Sequence, residues 1–432
     1  MKEFFSSTLG IRILATTSIL LIGVIAYRYW SNRITPEKIA AGKVLFEHEW
    51  QVNDPMSPKG DGLGPVFNDV SCVACHFQGG TGGAGPNTKN VHKFTVMPTA
   101  HRPGVIRGVI HKEATEEALK EDVEHVKEKY PDIPGFTKRE GCYTINTPAV
   151  SPVMTQSINT PALFGLGLIE KIPSYSISYH GSTKALSTVA NELRGKFSNK
   201  GFGRIRMAGS TVGKFGWKGE FGTIEDFVAE ACAVELGLSV PGRKQDEPQA
   251  FSEDQKARYD LSRKQLHELV CFVRSLPRPV QVLPTDATQR VLVEHGEKVF
   301  KKVGCTDCHV PDIGGVEGIY SDFHLYDISG PDLATYDNLL TNDNVKFPLG
   351  ETAPHEWKTP PLWGVADSAP YLHDGAAPDL LSAIQMHRGD ADYSRAAFTD
   401  ASREDQEALI AFLRTLHAPK IKQPTRLAKL EE

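Results

Sequence analysis

Two C-x-x-C-H stretches carry the most specific chemistry in this chain: Cys72-Val-Ala-Cys75-His76 and Cys305-Thr-Asp-Cys308-His309. Two thiols three residues apart, followed at once by an imidazole, suit thioether attachment to two porphyrin vinyls with the histidine on the iron. One such stretch alone also fits a redox dithiol or half a zinc site. Two of them, each preceded by a similar helix, point to two covalently bound haem c groups. Those helices read Gly42-Lys-Val-Leu-Phe46 and Gly296-Glu-Lys-Val-Phe300. Cys72, Cys75, Cys305 and Cys308 are then the attachment residues, with His76 and His309 as proximal ligands.

The elements that must hold these groups are also duplicated. Leu269-Val-Cys-Phe-Val-Arg-Ser-Leu276 matches Leu409-Ile-Ala-Phe-Leu-Arg-Thr-Leu416 at a constant offset of 140 residues. Helix-start signals precede both, Ser262 with Gln265 and Ser402 with Asp405. Thr160-Pro-Ala-Leu-Phe-Gly165 likewise matches Thr359-Pro-Pro-Leu-Trp-Gly364. The order in each half is haem helix, haem motif, loop, T-P motif, distal helix, terminal helix. The expected fold class is all-α with long loops, built as two tandem cytochrome c-type domains. Residues 35–285 form the first, residues 286–432 the second, and a Pro-containing linker lies near 280–288. The charge-rich stretch from His111 to Tyr130 reads as a solvated helix.

Residues 1–34 precede the domains as a signal or anchor segment. Lys2 and Arg12 lead into an uncharged run from Ile13 to Tyr27, followed by Arg28, Tyr29 and Trp30. Fifteen helical residues reach roughly 22 Å, short of a hydrocarbon core of about 30 Å. An uncleaved membrane helix and a signal peptide cut near Ala26 both fit, and the flanking aromatics and arginine favour the anchor. Either way the remainder is exported, which implies a periplasmic location.

The 432 residues, 40% hydrophobic and 23% charged, describe a folded globular protein with ample core. A net charge of −5 argues against a nucleic-acid partner. Seven cysteines are too few for a disulfide scaffold. Cys142, Cys232 and Cys271 fall outside the haem motifs, and nothing in the sequence pairs them.

With those motifs in hand, the chain resembles the dihaem oxidoreductase family, whose members are mostly assigned as peroxidases by similarity. More distantly it is similar to the bacterial dihaem cytochrome c peroxidases and to the dihaem enzyme that matures methylamine dehydrogenase. The resemblance spans about residues 40–418 and rests on Gly62-Leu-Gly-Pro-Val-Phe-Asn68, Ser71 to His76, Thr160 to Glu170, Tyr320-Ser-Asp322, Trp357 to Gly364 and Tyr371-Leu-His-Asp-Gly375. It departs from the family pattern at Tyr326, Ile328 and Ala376, where relatives carry His, Met and Arg.

The distal helices separate the two haems. Asp379 can cap a helix ending at Gly389, on which Leu380, Ala383, Ile384 and His387 share one stripe. Met386, the alternative ligand, sits about 100° away. His387 also stands where the resemblance implies a distal Met, so His309 and His387 are expected to close the second iron. Thr223 can cap the corresponding helix of the first half, where Ala231 occupies the place of His387 and cannot bind iron. One turn on, Glu235 continues the stripe. Its Glu-Leu-Gly stretch resembles the E-M-G of dihaem peroxidases, whose Glu assists peroxide cleavage, and burial is expected to raise its pKa. Glu170 is the second candidate acid, with a surface salt bridge as its alternative role.

His92, sixteen residues after His76 in a Gly-rich loop, matches a displaceable distal His of the relatives; an exposed loop histidine is the alternative. His101 and His111 are weaker candidates of that kind. His373 is read as hydrogen-bonding a propionate or backbone near the second haem. The resemblance also implies Ca²⁺ between the haems, held by the carbonyls of Ser368 and Pro370. Trp217 and Trp363 are candidates to aid electron flow, with packing as the commoner role of a buried tryptophan. The expected activity is reduction of hydrogen peroxide with electrons from a small cytochrome c or cupredoxin. Oxidation of an organic or protein substrate and a non-catalytic electron carrier are the alternatives.

Overall fold

The computed structural model describes residues 33–57, 59–98, 102, 104–132, 137–140, 143–146, 149, 151–182, 203–246, 259–328 and 351–420. The apolar run Ile13 to Tyr27, Cys142 and His101 lie outside them. Among the described residues, no helix is long and apolar enough to cross a membrane.

The α-helices bounded within the described residues are α1 Pro36–Glu47, α2 Val123–Lys129, α3 Leu166–Lys171, α4 Ile224–Glu235, α5 Arg263–Ser275, α6 Ala287–Lys302, α7 Leu380–Gln385, α8 Asp392–Thr399 and α9 Arg403–Leu413, and residues 174–182 are helical as well. Local sequence sets their starts. Thr223 Oγ1 accepts from the Asp226 N–H, Asp379 Oδ1 from Ser382, and Ser402 Oγ from Asp405. Ser262 and Gln265 close a reciprocal capping box.

The duplication is visible in the packing. Helix α1 crosses α5, and α6 crosses α9. A glycine lies at each crossing: a Cβ on Gly42 would overlap the Glu268 carbonyl, and one on Gly296 the Ala408 carbonyl. Glu268 and Ala408 are themselves 140 residues apart. The first core gathers Phe46, Phe272, Ile169 and Ile224, and takes in Ile313, Phe323 and Trp363 from the second half. The second gathers Val299, Phe300, Leu409 and Phe412.

The fold is mixed, which corrects the all-α expectation. A three-stranded antiparallel sheet, β1 Val91–Val96, β2 Ile106–Ile110 and β3 Val153–Ile158 with β1 central, fills the insertion after the first haem motif. Its strands are rich in β-branched residues, and Val96 and Val153 pack under it with Val126. Further two-stranded pairs include β4 Leu325–Asp327 with β5 Glu356–Lys358. Of the charge-rich stretch, only Val123–Lys129 is α-helical; its earlier part joins β2, a two-residue strand at Glu113–Ala114 and a short 3-10 turn. Val280–Gln281 in the linker pairs with Leu416–His417.

Candidate haem sites

Each C-x-x-C-H segment forms one tight turn. The His76 N–H donates to the Cys72 carbonyl at 3.0 Å, and the His309 N–H to the Cys305 carbonyl at 2.9 Å. This turn brings each imidazole around beside its pair of thiols. Phe46 lies 6.3 Å from the His76 ring and 5.1 Å from Phe272; Phe300 lies 6.5 Å from His309 and 5.5 Å from Phe412. His76 Nδ1 donates to the Gly83 carbonyl at 3.1 Å, and His309 Nδ1 to the Tyr320 carbonyl at 3.0 Å. The Pro161 and Pro360 carbonyls, one from each T-P motif, also face these rings.

Those bonds fix the tautomer with Nε2 unprotonated, the nitrogen that a metal would take. Burial pushes His76 down to about 4. It does the same to His309, with His387 adding to the effect. Both rings are therefore neutral, as ligation requires. Burial also drives the Cys72 and Cys305 thiols up to about 12, and the four motif cysteines are free of disulfides. Donor set, tautomer and free thiols all fit a prosthetic group at each turn.

A cavity of about 310 Å³ opens on the second motif. Cys305, Cys308 and His309 line it, and so does His387. Helix α7 ends at Gln385, four residues short of the expected end at Gly389. His387 nevertheless turns inward, because its N–H donates to the Ile384 carbonyl and its Nδ1 to that of Ala383 at 2.7 Å. Met386 is 42% exposed. The cavity continues toward the first half along Thr160, Pro161, Trp217 and Phe227. Ser368, Pro370 and Trp363 line it as well.

In the first half, α4 passes the haem motif closely enough that the Cys232 thiol feels Cys72 and the Cys75 thiol feels Glu235. Glu235 ends that helix, half-buried, and is not among the residues lining the cavity. Asn68 Nδ2 donates to Glu235 Oε2 at 2.6 Å, and the Asn68 N–H to the Glu235 carbonyl at 2.8 Å. Asn68 closes the Gly62–Asn68 motif four residues before Cys72, and no local pattern in the sequence points to its bond with Glu235. His111 Nε2 caps the Val234 carbonyl at 2.9 Å beside it.

Glu170 is placed differently. Arg274 donates to both its oxygens, at 2.7 and 3.0 Å, and the Ile224 N–H at the start of α4 donates to Oε1 at 2.9 Å. Burial opposes ionisation, but the Arg274 fork and that N–H outweigh it and hold the carboxyl below its ordinary value. His92 is exposed on the central strand β1, opposite Ile110 and Ser157, in a sheet and not in a loop. His373 stacks on Trp357 at 3.5 Å and lines the cavity. Cys232 and Cys271 are buried free thiols.

Residues 250–416 match the family described as "Di-haem oxidoreductase, putative peroxidase". A curated relative, the hydrazine synthase subunit gamma of Kuenenia stuttgartiensis, is 24% identical over 183 residues, covering 36% of this chain and 50% of that protein. The chain thus spans about half the length of the curated relative it matches. Among solved structures, a MauG-like protein associated with microbial copper homeostasis is similar at 13% identity, covering 89% of this chain and 90% of that one, with a TM-score of 0.40. The diheme peroxidase BthA of Burkholderia thailandensis is similar at 14% identity, covering 91% of each chain, with a TM-score of 0.33. Over residues 250–416, which include the second C-x-x-C-H motif, the chain is thus similar to the di-haem oxidoreductase family.

Proposed function

We propose that this protein is a periplasmic dihaem c-type peroxidase, held at the membrane by its N-terminal segment, that reduces hydrogen peroxide with electrons from a small cytochrome c or cupredoxin. Cys72, Cys75 and His76 would hold the first haem, and Cys305, Cys308, His309 and His387 the second. The observation that carries the reading is an asymmetry inside two matching cradles. His387 lines the second site with Nδ1 occupied and Nε2 available, whereas the first half has Ala231 at the same sequence distance from its helix cap.

When bound, haem iron supplies electrons for cleavage of the peroxide O–O bond. The chain supplies the proton handling. Asn68 fixes Oε2 of Glu235, leaving Oε1 to take a proton from one peroxide oxygen and return it to the other. Glu170, engaged by Arg274 and the start of α4, is assigned to positioning that helix. Electrons would enter at the second site, where Leu381, Met386 and Tyr393 are exposed to a donor. Ca²⁺ at Ser368 and Pro370 belongs to the same reading.

Paramagnetic resonance of the purified dihaem protein tests this directly. One high-spin and one low-spin haem, or one that opens on half-reduction, together with peroxide turnover by a reduced small cytochrome, is the expected result. Two permanently low-spin haems without turnover would leave an electron carrier. An open iron that turns over only organic or protein substrates would make it an oxidase.

A further inference from the structure

One cationic side chain in the cavity is bonded directly to no other among the described residues. Lys358, at the end of β5, is 6% exposed and lines the cavity beside the second motif. Its backbone N–H donates to the Trp217 carbonyl, but its ammonium makes no hydrogen bond or ion pair among the described residues. It rests 5.5 Å from the centre of the Phe323 ring. Two carboxylates lie close enough for their charge to act on it, and both are engaged elsewhere: Glu220 Oε2 accepts from the Lys218 N–H, and Asp322 accepts from Tyr326 at Oδ2 and from the His324 N–H at Oδ1. A buried ammonium without a bonded partner is costly, and the neighbouring half-buried lysine shows the usual remedy. Lys218 donates to the carbonyls of Ala353, Pro354 and Glu356 and lies over the Trp357 ring.

A second orphan lines the same cavity. Trp357 is 3% exposed, and its Nε1–H has no acceptor among the described residues. Indole N–H and ammonium are donors only. Two unanswered donors in one buried space call for a ligand that only accepts, and an ionised carboxylate is that group. Both donors line one cavity and suit a ligand with more than one carboxylate.

We propose that Lys358, with Trp357, forms a carboxylate-binding subsite in the cavity beside the second haem motif, its first claimant being the propionates of the haem at Cys305, Cys308 and His309. The claim rests on the dihaem reading above. A free dicarboxylate entering the cavity is the other source of the same chemistry.

The test uses the holoprotein, with two haems verified by haemochrome assay; a protein without haem would overturn the dihaem reading and not this one alone. Resonance Raman spectra and redox titrations are compared for wild type, K358M, K358R and W357F. Expected are a shift of the propionate bending band and a fall in the second haem's midpoint potential in K358M, with K358R close to wild type, W357F smaller, and the first haem unmoved. If the band does not shift, succinate is titrated against the Soret spectrum: a saturable change in wild type that is lost in K358M assigns the subsite to a free carboxylate. An unshifted band together with no succinate response overturns the proposal, whatever the potential does.

Discussion

The two halves share a cradle and differ across from it. In each, a glycine lets two helices meet backbone to backbone, a phenylalanine of the first helix lies beside the proximal histidine and packs on one from the second, and a carbonyl fixes that histidine's Nδ1. Even the T-P motifs agree, each turning a proline carbonyl toward the ring and ending in a left-handed glycine, Gly165 or Gly364. The opposite wall has diverged: α7 leads into an inward imidazole at His387, while α4 carries Ala231 and ends in Glu235 anchored by Asn68. Duplication thus kept what attaches and orients a group and varied what faces its free side. Chemistry and electron entry can then be divided between two sites built alike.

The largest way to break that division is Glu235→Gln. General acid–base groups contribute about 10²–10⁴-fold, so peroxide turnover should fall by that factor with both haems retained. Stopped-flow kinetics with a haem count decides it, and unchanged turnover would remove Glu235 from the mechanism. A smaller effect probes the shared part. Gly42→Ala and Gly296→Ala each push a Cβ into a facing carbonyl. Each should cost about 1–3 kcal/mol by overpacking. If the cradles are equivalent, thermal unfolding shows similar losses. Each variant should disturb chiefly the spectrum of its own half's haem.

What could be read from residues alone follows the range of the forces involved. The caps at Thr223, Ser262, Asp379 and Ser402 involve partners three residues away and stand where their sequence signals fall. The helix pairs were legible because duplication repeats their pattern at a fixed offset. The sheet was missed: a run of glycines ahead of His92 suggested a loop, although Val91–Val96 pairs on both sides with strands from the same insertion. Long-range polar partners left no local trace. Glu235 meets Asn68 across 167 residues, and Glu170 meets Arg274 across 104. The unanswered Lys358 appears only once the cavity around it exists.

Glu170→Gln sharpens the assignment of acids. The Arg274 fork, set against burial, lowers the native pKa of Glu170, so its stabilisation is complete above the unfolded value of about 4.3. As pH falls through the lower native value, that stabilisation is lost. The variant should therefore lose about 1–2 kcal/mol at neutral pH, with the difference from wild type closing in acid. Denaturant unfolding across pH measures it. Peroxide turnover at neutral pH should stay near wild type, and a hundredfold fall would return Glu170 to the catalytic set.

Met386→Leu should do least, and that makes it the sharpest control on His387. Met386 caps the end of α7 with its side chain outward, so the change should cost no more than about 0.5 kcal/mol. The second haem's low-spin spectrum and potential should not move. For the Met386 thioether to reach the cavity, the end of α7 would have to turn by about 100°. That rotation would break the 2.7 Å bond from His387 Nδ1 to Ala383 and carry the imidazole out toward solvent. The two ligands are therefore mutually exclusive. A spectral change in M386L would mean that the loaded protein uses the other arrangement, and the contrast between Ala231 and His387 would no longer explain why the sites differ.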